Sequence, residues 1–221
     1  MSMLKTSVGR KLAMALTGQM LLAFLLVHAV GNSTLWVGLI NAYASHLHAL
    51  PPAVWIFRVL LVCILGLHVW QGVTLTLENS AAKGGGYAVT SYRRATIASR
   101  TMIWSGLVIA GFLLYHELHL TLQVIHPEAA AGAHQDVAGR PDVHRMLVAG
   151  LGHAATAAVY VAGMVALGLH LFHGIPSSVQ TFGLNGPRSF PWLERCGAAL
   201  ALLLAAAFVA IPVAIFAGLV R

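Results

Sequence analysis

Five long apolar runs follow one another along the chain, roughly Lys11 to Leu39, Ala53 to Leu77, Met102 to Ile125, Met146 to Val179 and Trp192 to Val220. Each reaches the roughly 20 residues that a helix rising about 1.5 Å per residue needs to cross about 30 Å of hydrocarbon. Lys5, Arg10 and Lys11 precede the first run and no A-x-A-like cleavage site follows it, so it reads as a true span and not a signal peptide. The pattern predicts an all-α integral membrane bundle of five transmembrane helices. Length fits one domain, residues 1–221.

Composition agrees with the pattern. Hydrophobic residues make up 58% of the chain and charged residues 9%, where a soluble domain carries about 25% charged. The formal charge of +7 does not point to nucleic acid, because the basic residues lie between apolar runs and no basic stretch is interleaved with aromatics. It points to membrane orientation instead. Lys5, Arg10, Lys11, Lys83, Arg93, Arg94, Arg100, Arg188 and Arg195 fall on one side, against Arg140, Arg145 and Arg221 on the other. Nine against three predicts a cytoplasmic N-terminus and a C-terminus outside. Cys63 and Cys196 are isolated, so thiolate-zinc and iron–sulfur sites are not expected.

Histidine changes the picture. There are twelve, and His28, His68, His116, His119, His153, His170 and His173 fall inside predicted spans. A strongly polar group at bilayer depth is costly without a partner and is a functional candidate by default. One such histidine is explained by a hydrogen bond to a neighbouring helix. A group this large, with few acidic residues in the spans, asks for a common purpose.

Depth supplies one. His28 lies 17 residues beyond Lys11 and His116 lies 16 beyond Arg100, which places both about 25 Å from the cytoplasmic edge. His68 precedes Glu78 by 10 residues and His170 precedes Gln180 by 10, placing both about 15 Å from that edge. Four helices thus offer two histidines at each of two depths, which is what two stacked haems with bis-histidine ligation require. Such irons have no open position and carry electrons. Gly18 and Gly106 lie ten residues before His28 and His116, at the depth of the second haem, where a missing side chain lets a flat ring approach; small residues also pack membrane helices together. Zinc or copper at His116 with His119, or at His170 with His173, would lack further ligands.

At these residues the chain resembles the five-helix dihaem cytochrome b subunit (b558 type) of succinate dehydrogenases and fumarate reductases. The stretches that carry the resemblance are TGQMLLAFLLVHAVGN (Thr17 to Asn32), NAYASHLHALP (Asn41 to Pro51), GLHVWQGV (Gly66 to Val73), SRTMIWSGLVIAGFLLYHELH (Ser99 to His119) and GLHLFHGIPSSVQTFGLNGPR (Gly168 to Arg188). The resemblance implies that His28 and His116 bind a distal haem b, and His68 and His170 a proximal one. It favours His116 over His119 and His170 over His173. It also implies a bacterial cytoplasmic membrane, a flavoprotein (FAD) subunit and an iron–sulfur subunit on the cytoplasmic face, menaquinone as the membrane substrate, and a complex that can dimerise. The chain has no GxGxxG loop and no cysteine cluster, so no dicarboxylate active site and no catalytic residue for that reaction is expected in it.

Quinone reduction takes up two protons. By resemblance the quinone site lies near the distal haem. His46, His48, Glu117 and His119 are candidates for quinone or proton contact at that level, and Arg58 for a haem propionate. Some relatives carry a proton-conducting glutamate two residues before the proximal ligand of the fourth span; here that residue is Gly168. Protons that accompany electron transfer then take another route, or the reaction is electrogenic, and both directions of catalysis fit. Two other functions fit the pattern less closely: a stand-alone bis-histidine cytochrome b, and a histidine-rich transporter.

Overall fold

The computed structural model describes residues 6–82 and 96–221. Lys5, Lys83, Arg93, Arg94 and the GGG turn at Gly84 to Gly86, which contribute to the expected orientation and connection, lie outside the described residues. The described residues form helices α1 (Ser7–Ser33), α2 (Ile40–Leu47), α3 (Pro51–Ala82), α4 (Ile97–Arg100), α5 (Met102–His116), α6 (Val143–Leu151), α7 (Ala154–Thr181) and α8 (Phe190–Phe216), and no strand. Five are long and apolar enough to cross a membrane: α1 with its 3₁₀ extension to Val37, α3, α5 with a π turn to Thr121, α7 and α8. This is the makeup of a multi-pass membrane protein.

Local chemistry sets the ends. Thr6 caps α1 by accepting from the Gly9 amide, 3.0 Å away. At the other end of α1 the Ser33 and Thr34 hydroxyls donate back to the Val30 and Gly31 carbonyls, and the chain tightens into a 3₁₀ turn that stops at Gly38, φ +71°. Pro51 and Pro52 open α3, where the missing amide protons cost nothing.

The fourth span departs from the expected Met146 to Val179. The helix breaks at Gly152 and His153: α6 is a separate helix, and α7 begins at Ala154 with His153 as its N-cap residue. The turn is local: Gly152 keeps helical angles (φ −67°, ψ −17°), and His153 swings to extended backbone (φ −84°, ψ 132°), which ends α6 and starts α7. His153, expected inside a span, is therefore an exposed residue at a span's beginning.

α1, α3, α5 and α7 pack in a ring, each on its neighbours, so α1 faces α5 and α3 faces α7 across the middle. α8 lies against α7 through small residues: Ala201 is fully buried, and a Cβ on Gly168 would meet the Ala205 methyl at 3.0 Å. At the end of the bundle that carries Arg10, called here the near end, Arg10 pairs with Glu78 of α3.

At the far end Asn41 of α2 pins the long connection before α6. Its Nδ2 donates to Asp142 Oδ1 at 3.0 Å and its Oδ1 accepts from the His144 amide at 2.8 Å. Asp142 also caps α6 by accepting from the Arg145 amide, which holds its carboxyl below the usual range. Asp136, hydrogen-bonded first of all by the Arg140 side chain, is held down to about 2. Both carboxyls titrate lower in the folded chain than the ordinary 3.8, so their hold on the connection is complete above that value. It is lost as pH falls through the lowered values. Hydrogen exchange at the His144 amide is expected to stay slow at neutral pH and to accelerate only in strong acid.

Candidate functional site

The four histidines at two depths meet as two pairs across the ring. The imidazoles of His28 (α1) and His116 (α5) have centres 6.1 Å apart. Those of His68 (α3) and His170 (α7) have centres 6.3 Å apart. With metal–imidazole bonds of about 2.0–2.1 Å and ring centres about 1.1 Å behind their nitrogens, two imidazoles on opposite sides of one metal ion sit about 6.2–6.4 Å apart. Both pairs have the spacing of ligands that share an ion.

In the near pair, His68 and His170, a hydroxyl lies beside one nitrogen of each ring. Thr17 Oγ1 lies 3.1 Å from His68 Nδ1 and spends its own proton on its helix, donating to the Ala13 carbonyl at 2.8 Å. With its proton on the helix, the hydroxyl is placed to accept from a protonated His68 Nδ1. Ser105 repeats the arrangement. Its Oγ lies 3.2 Å from His170 Nδ1 and donates to the Met102 carbonyl at 3.1 Å. A ring that donates from Nδ1 in this way keeps its Nε2 lone pair available, which is how proteins prepare a histidine ligand.

Glycine follows each hydroxyl. A Cβ on Gly18 would lie 3.2 Å from His68 Cε1, and one on Gly106 would lie 3.4 Å from His170 Cε1. The sequence spacing puts these glycines at the depth of the second pair, and in the structure each lies against a ring of that pair. Thr17 and Ser105, which contact the near pair, are not among the sequence candidates, although a signal is present: the same hydroxyl–glycine step precedes both His28 and His116.

The far pair, His28 and His116, sits in an aromatic setting instead. Phe24 stacks on His28 with centres 5.3 Å apart, and Phe208 of α8 lies 5.7 Å away. Phe112 and Tyr160 lie 5.8 and 5.9 Å from His116. His116 Nδ1 is buried without a hydrogen-bond partner among the described residues.

The remaining candidates scatter. His46 on α2 and His48 just after it are exposed, each with Nδ1 turned back to a carbonyl of that helix, Ala42 at 2.7 Å and Ala44 at 2.8 Å. Arg58 reaches His48 Nε2 at 3.4 Å and lies over the Trp55 ring. Glu117 is exposed, whereas His119 is buried and 3.0 Å from the Tyr160 hydroxyl. Gly168 faces α8 and not the ring interior, so a longer side chain there would have to displace Ala205.

Among the described residues no three His, Cys, Asp or Glu side chains form a group able to hold a metal ion. The histidines come in pairs, and a pair suffices only where another molecule completes the coordination. Comparison with family models, curated proteins and solved structures returns no match.

Proposed function

We infer that the chain is a dihaem membrane cytochrome b, the membrane-anchor subunit of a succinate:quinone or quinol:fumarate oxidoreductase. The observation that carries this reading is the near pair: two imidazoles at ligand spacing, each met at Nδ1 by a hydroxyl and each faced by a glycine. A porphyrin supplies four of an iron's donors, so two histidines complete the set, and a flat macrocycle needs backbone without side chains beside it. His68 and His170 would hold one haem b, and His28 and His116 the other. When bound, such groups supply one-electron redox centres at two levels of the bundle.

The chain's own part is to orient and to insulate. Thr17 and Ser105 fix ring orientation, while the apolar helices exclude water. Flavoprotein and iron–sulfur subunits would dock at the near, cytoplasmic end, and a quinone such as menaquinone would react at the far end.

The test is to purify the full-length chain from its membrane, record a reduced-minus-oxidised spectrum and quantify haem. Two b haems per chain with co-purifying flavin and iron–sulfur subunits is the expected result. Two haems without partners would favour a stand-alone transmembrane cytochrome b, and absence of b-type bands would reject both. Thr17→Val or Ser105→Ala is expected to weaken near-haem retention by about 10–100-fold, the usual cost of losing such a support, and to leave the far haem bound. A titration of apoprotein with haem would measure it.

A further inference from the structure

Two buried polar groups on the near side of the near pair lack a hydrogen-bond partner among the described residues. Gln71 is only 2% exposed, and its Oε1 meets no donor. The Nε of Arg10 is likewise buried and unpaired, although the same guanidinium donates from Nη2 to Glu78. Buried polar groups are nearly always satisfied in folded proteins, so each exception points to a partner that the chain itself does not supply.

Both groups lie on the helix faces that serve the near pair. Gln71 follows His68 by three residues and precedes Glu78 by seven, so the three share one inner stripe of α3, with buried Leu75 between the last two. Arg10 precedes Thr17 by seven residues, two turns away on the same face of α1, and the Thr17 hydroxyl touches His68 Nδ1. Thr17 meets His68 while Arg10 meets Glu78, so α1 and α3 run antiparallel. Gln71 and Arg10 are therefore both displaced toward the near end, Gln71 by about 5 Å from His68 and Arg10 by about 10 Å from Thr17.

Chemistry narrows the partner. A guanidinium offers five N–H donors in a rigid fork and no acceptor, so the side that Glu78 leaves free takes an anion, a carboxylate best of all. A carboxamide is nearly symmetric in shape, and turning it by 180° puts an NH2 where the oxygen stood, so Gln71 can donate at the same point. Other polar groups on these faces are already committed. Gln19 donates from Nε2 to Ser178 Oγ, and Thr17 donates to the Ala13 carbonyl. The rim of a haem b carries methyl and vinyl groups and two propionates, so its only anionic groups are those two carboxylates. A carboxylate inside the bundle is costly without donors, and Gln71 and Arg10 are donors with capacity to spare.

We propose that Gln71 and Arg10 hold the carboxylates of the haem bound by His68 and His170, which sets the carboxylate edge of that haem toward the near end of the bundle. The proposal rests on the reading of a haem at the near pair. Glu78 then does more than tie α3 to α1. It shares the Arg10 fork with a propionate and competes for its charge. A cation beside a haem carboxylate offsets negative charge near the iron and favours the reduced form, so the balance between Arg10 and Glu78 tunes the potential of the near haem alone.

Two measurements on the full-length chain in lipid nanodiscs, with any subunits that co-purify, test this. The first titrates haem-depleted chain with haem and with haem dimethyl ester, which keeps the iron and lacks both carboxylate charges. A His116→Ala background leaves the near pair as the only complete one. Gln71→Leu and Arg10→Gln are each expected to weaken haem binding by about 10–100-fold and to leave ester binding unchanged. Equal losses for haem and ester, the mark of a residue that only supports the fold, would overturn the proposal, as would unchanged haem binding in both variants. The second is a redox titration of the holoprotein with both haems in place. Arg10→Gln is expected to lower the potential of one haem and Glu78→Gln to raise that of the same haem, with the other haem unmoved. Arg10→Lys, which keeps the charge without the fork, replaces Arg10→Gln if that variant does not fold, and is expected to weaken haem binding with a smaller shift in potential. Potentials that stay at the wild-type values, or that move together in both haems, would overturn the proposal. A wild-type chain that binds no haem would overturn the cytochrome reading and this assignment with it, whereas normal haem with equal ester losses would overturn this assignment alone.

Discussion

Replacing His28 by alanine is expected to remove one haem of two, and replacing His116 as well to remove no more. The same holds for His68 and His170. Combining His28→Ala with His68→Ala, one from each pair, is expected to leave none. The reason is that ligands of one iron act as a unit, so their losses are strongly non-additive, whereas the two pairs share no partner. His28 and His116 come from α1 and α5, His68 and His170 from α3 and α7, so the two pairs share no helix. Haem per chain, measured as the pyridine complex on each single and double variant, tests the assignment. His119→Ala is a control within the same turn of helix: its ring is hydrogen-bonded to Tyr160 and faces α6, so both haems should remain. If His116→Ala keeps both haems and His119→Ala loses one, the far ligand has been assigned to the wrong residue.

Much of this arrangement is legible in the sequence because helix rise converts residue number into depth. His28 and His116, counted from Lys11 and Arg100, fall at one level, and the structure brings their rings together. Depth, however, says nothing about rotation. Glu117 and His119 lie at nearly the same level and, two residues apart, on opposite sides of any helix; the rotation of the turn after His116 sets the imidazole inward and the carboxylate outward. The same limit hid Thr17 and Ser105. Their level was available, but the helix on which each finds its histidine depends on how the ring of helices closes. Tyr160 lies within an apolar run, and its hydrogen-bond partner His119 stands 41 residues away, a pairing that depth alone does not report. The break at Gly152 and His153 was missed for a different reason: the hydrophobic run is continuous across it, and apolarity alone does not report where a helix stops.

Packing between α5 and α7 is the feature most sensitive to a single methyl group. The Phe112 ring lies flat on the backbone of Gly163, so close that a Cβ there would overlap the ring itself. The ring has no room to retreat, because its other contacts are His116, 5.8 Å away, and Tyr160, 5.2 Å away. Gly163→Ala must therefore push α5 from α7. Overpacking of this kind costs about 1–3 kcal/mol, and Gly163→Leu more. The consequence should be local as well as global. Phe112 precedes His116 by one helical turn, so the far pair loses its alignment first. His170 lies seven residues beyond Gly163, about 10 Å along α7, and the near haem should persist. A melting curve followed by circular dichroism, paired with separate quantitation of the two haems, reads both effects. Phe112→Ala removes the Cγ and Cδ atoms that the new methyl strikes, so Gly163→Ala should cost less in a Phe112→Ala background than in the wild type. That coupling, about 0.5–3 kcal/mol for residues in contact, is the decisive number. A Gly163→Ala chain as stable as wild type, or a double variant worse than the sum of its parts, would show that the ring and the glycine do not bear on each other.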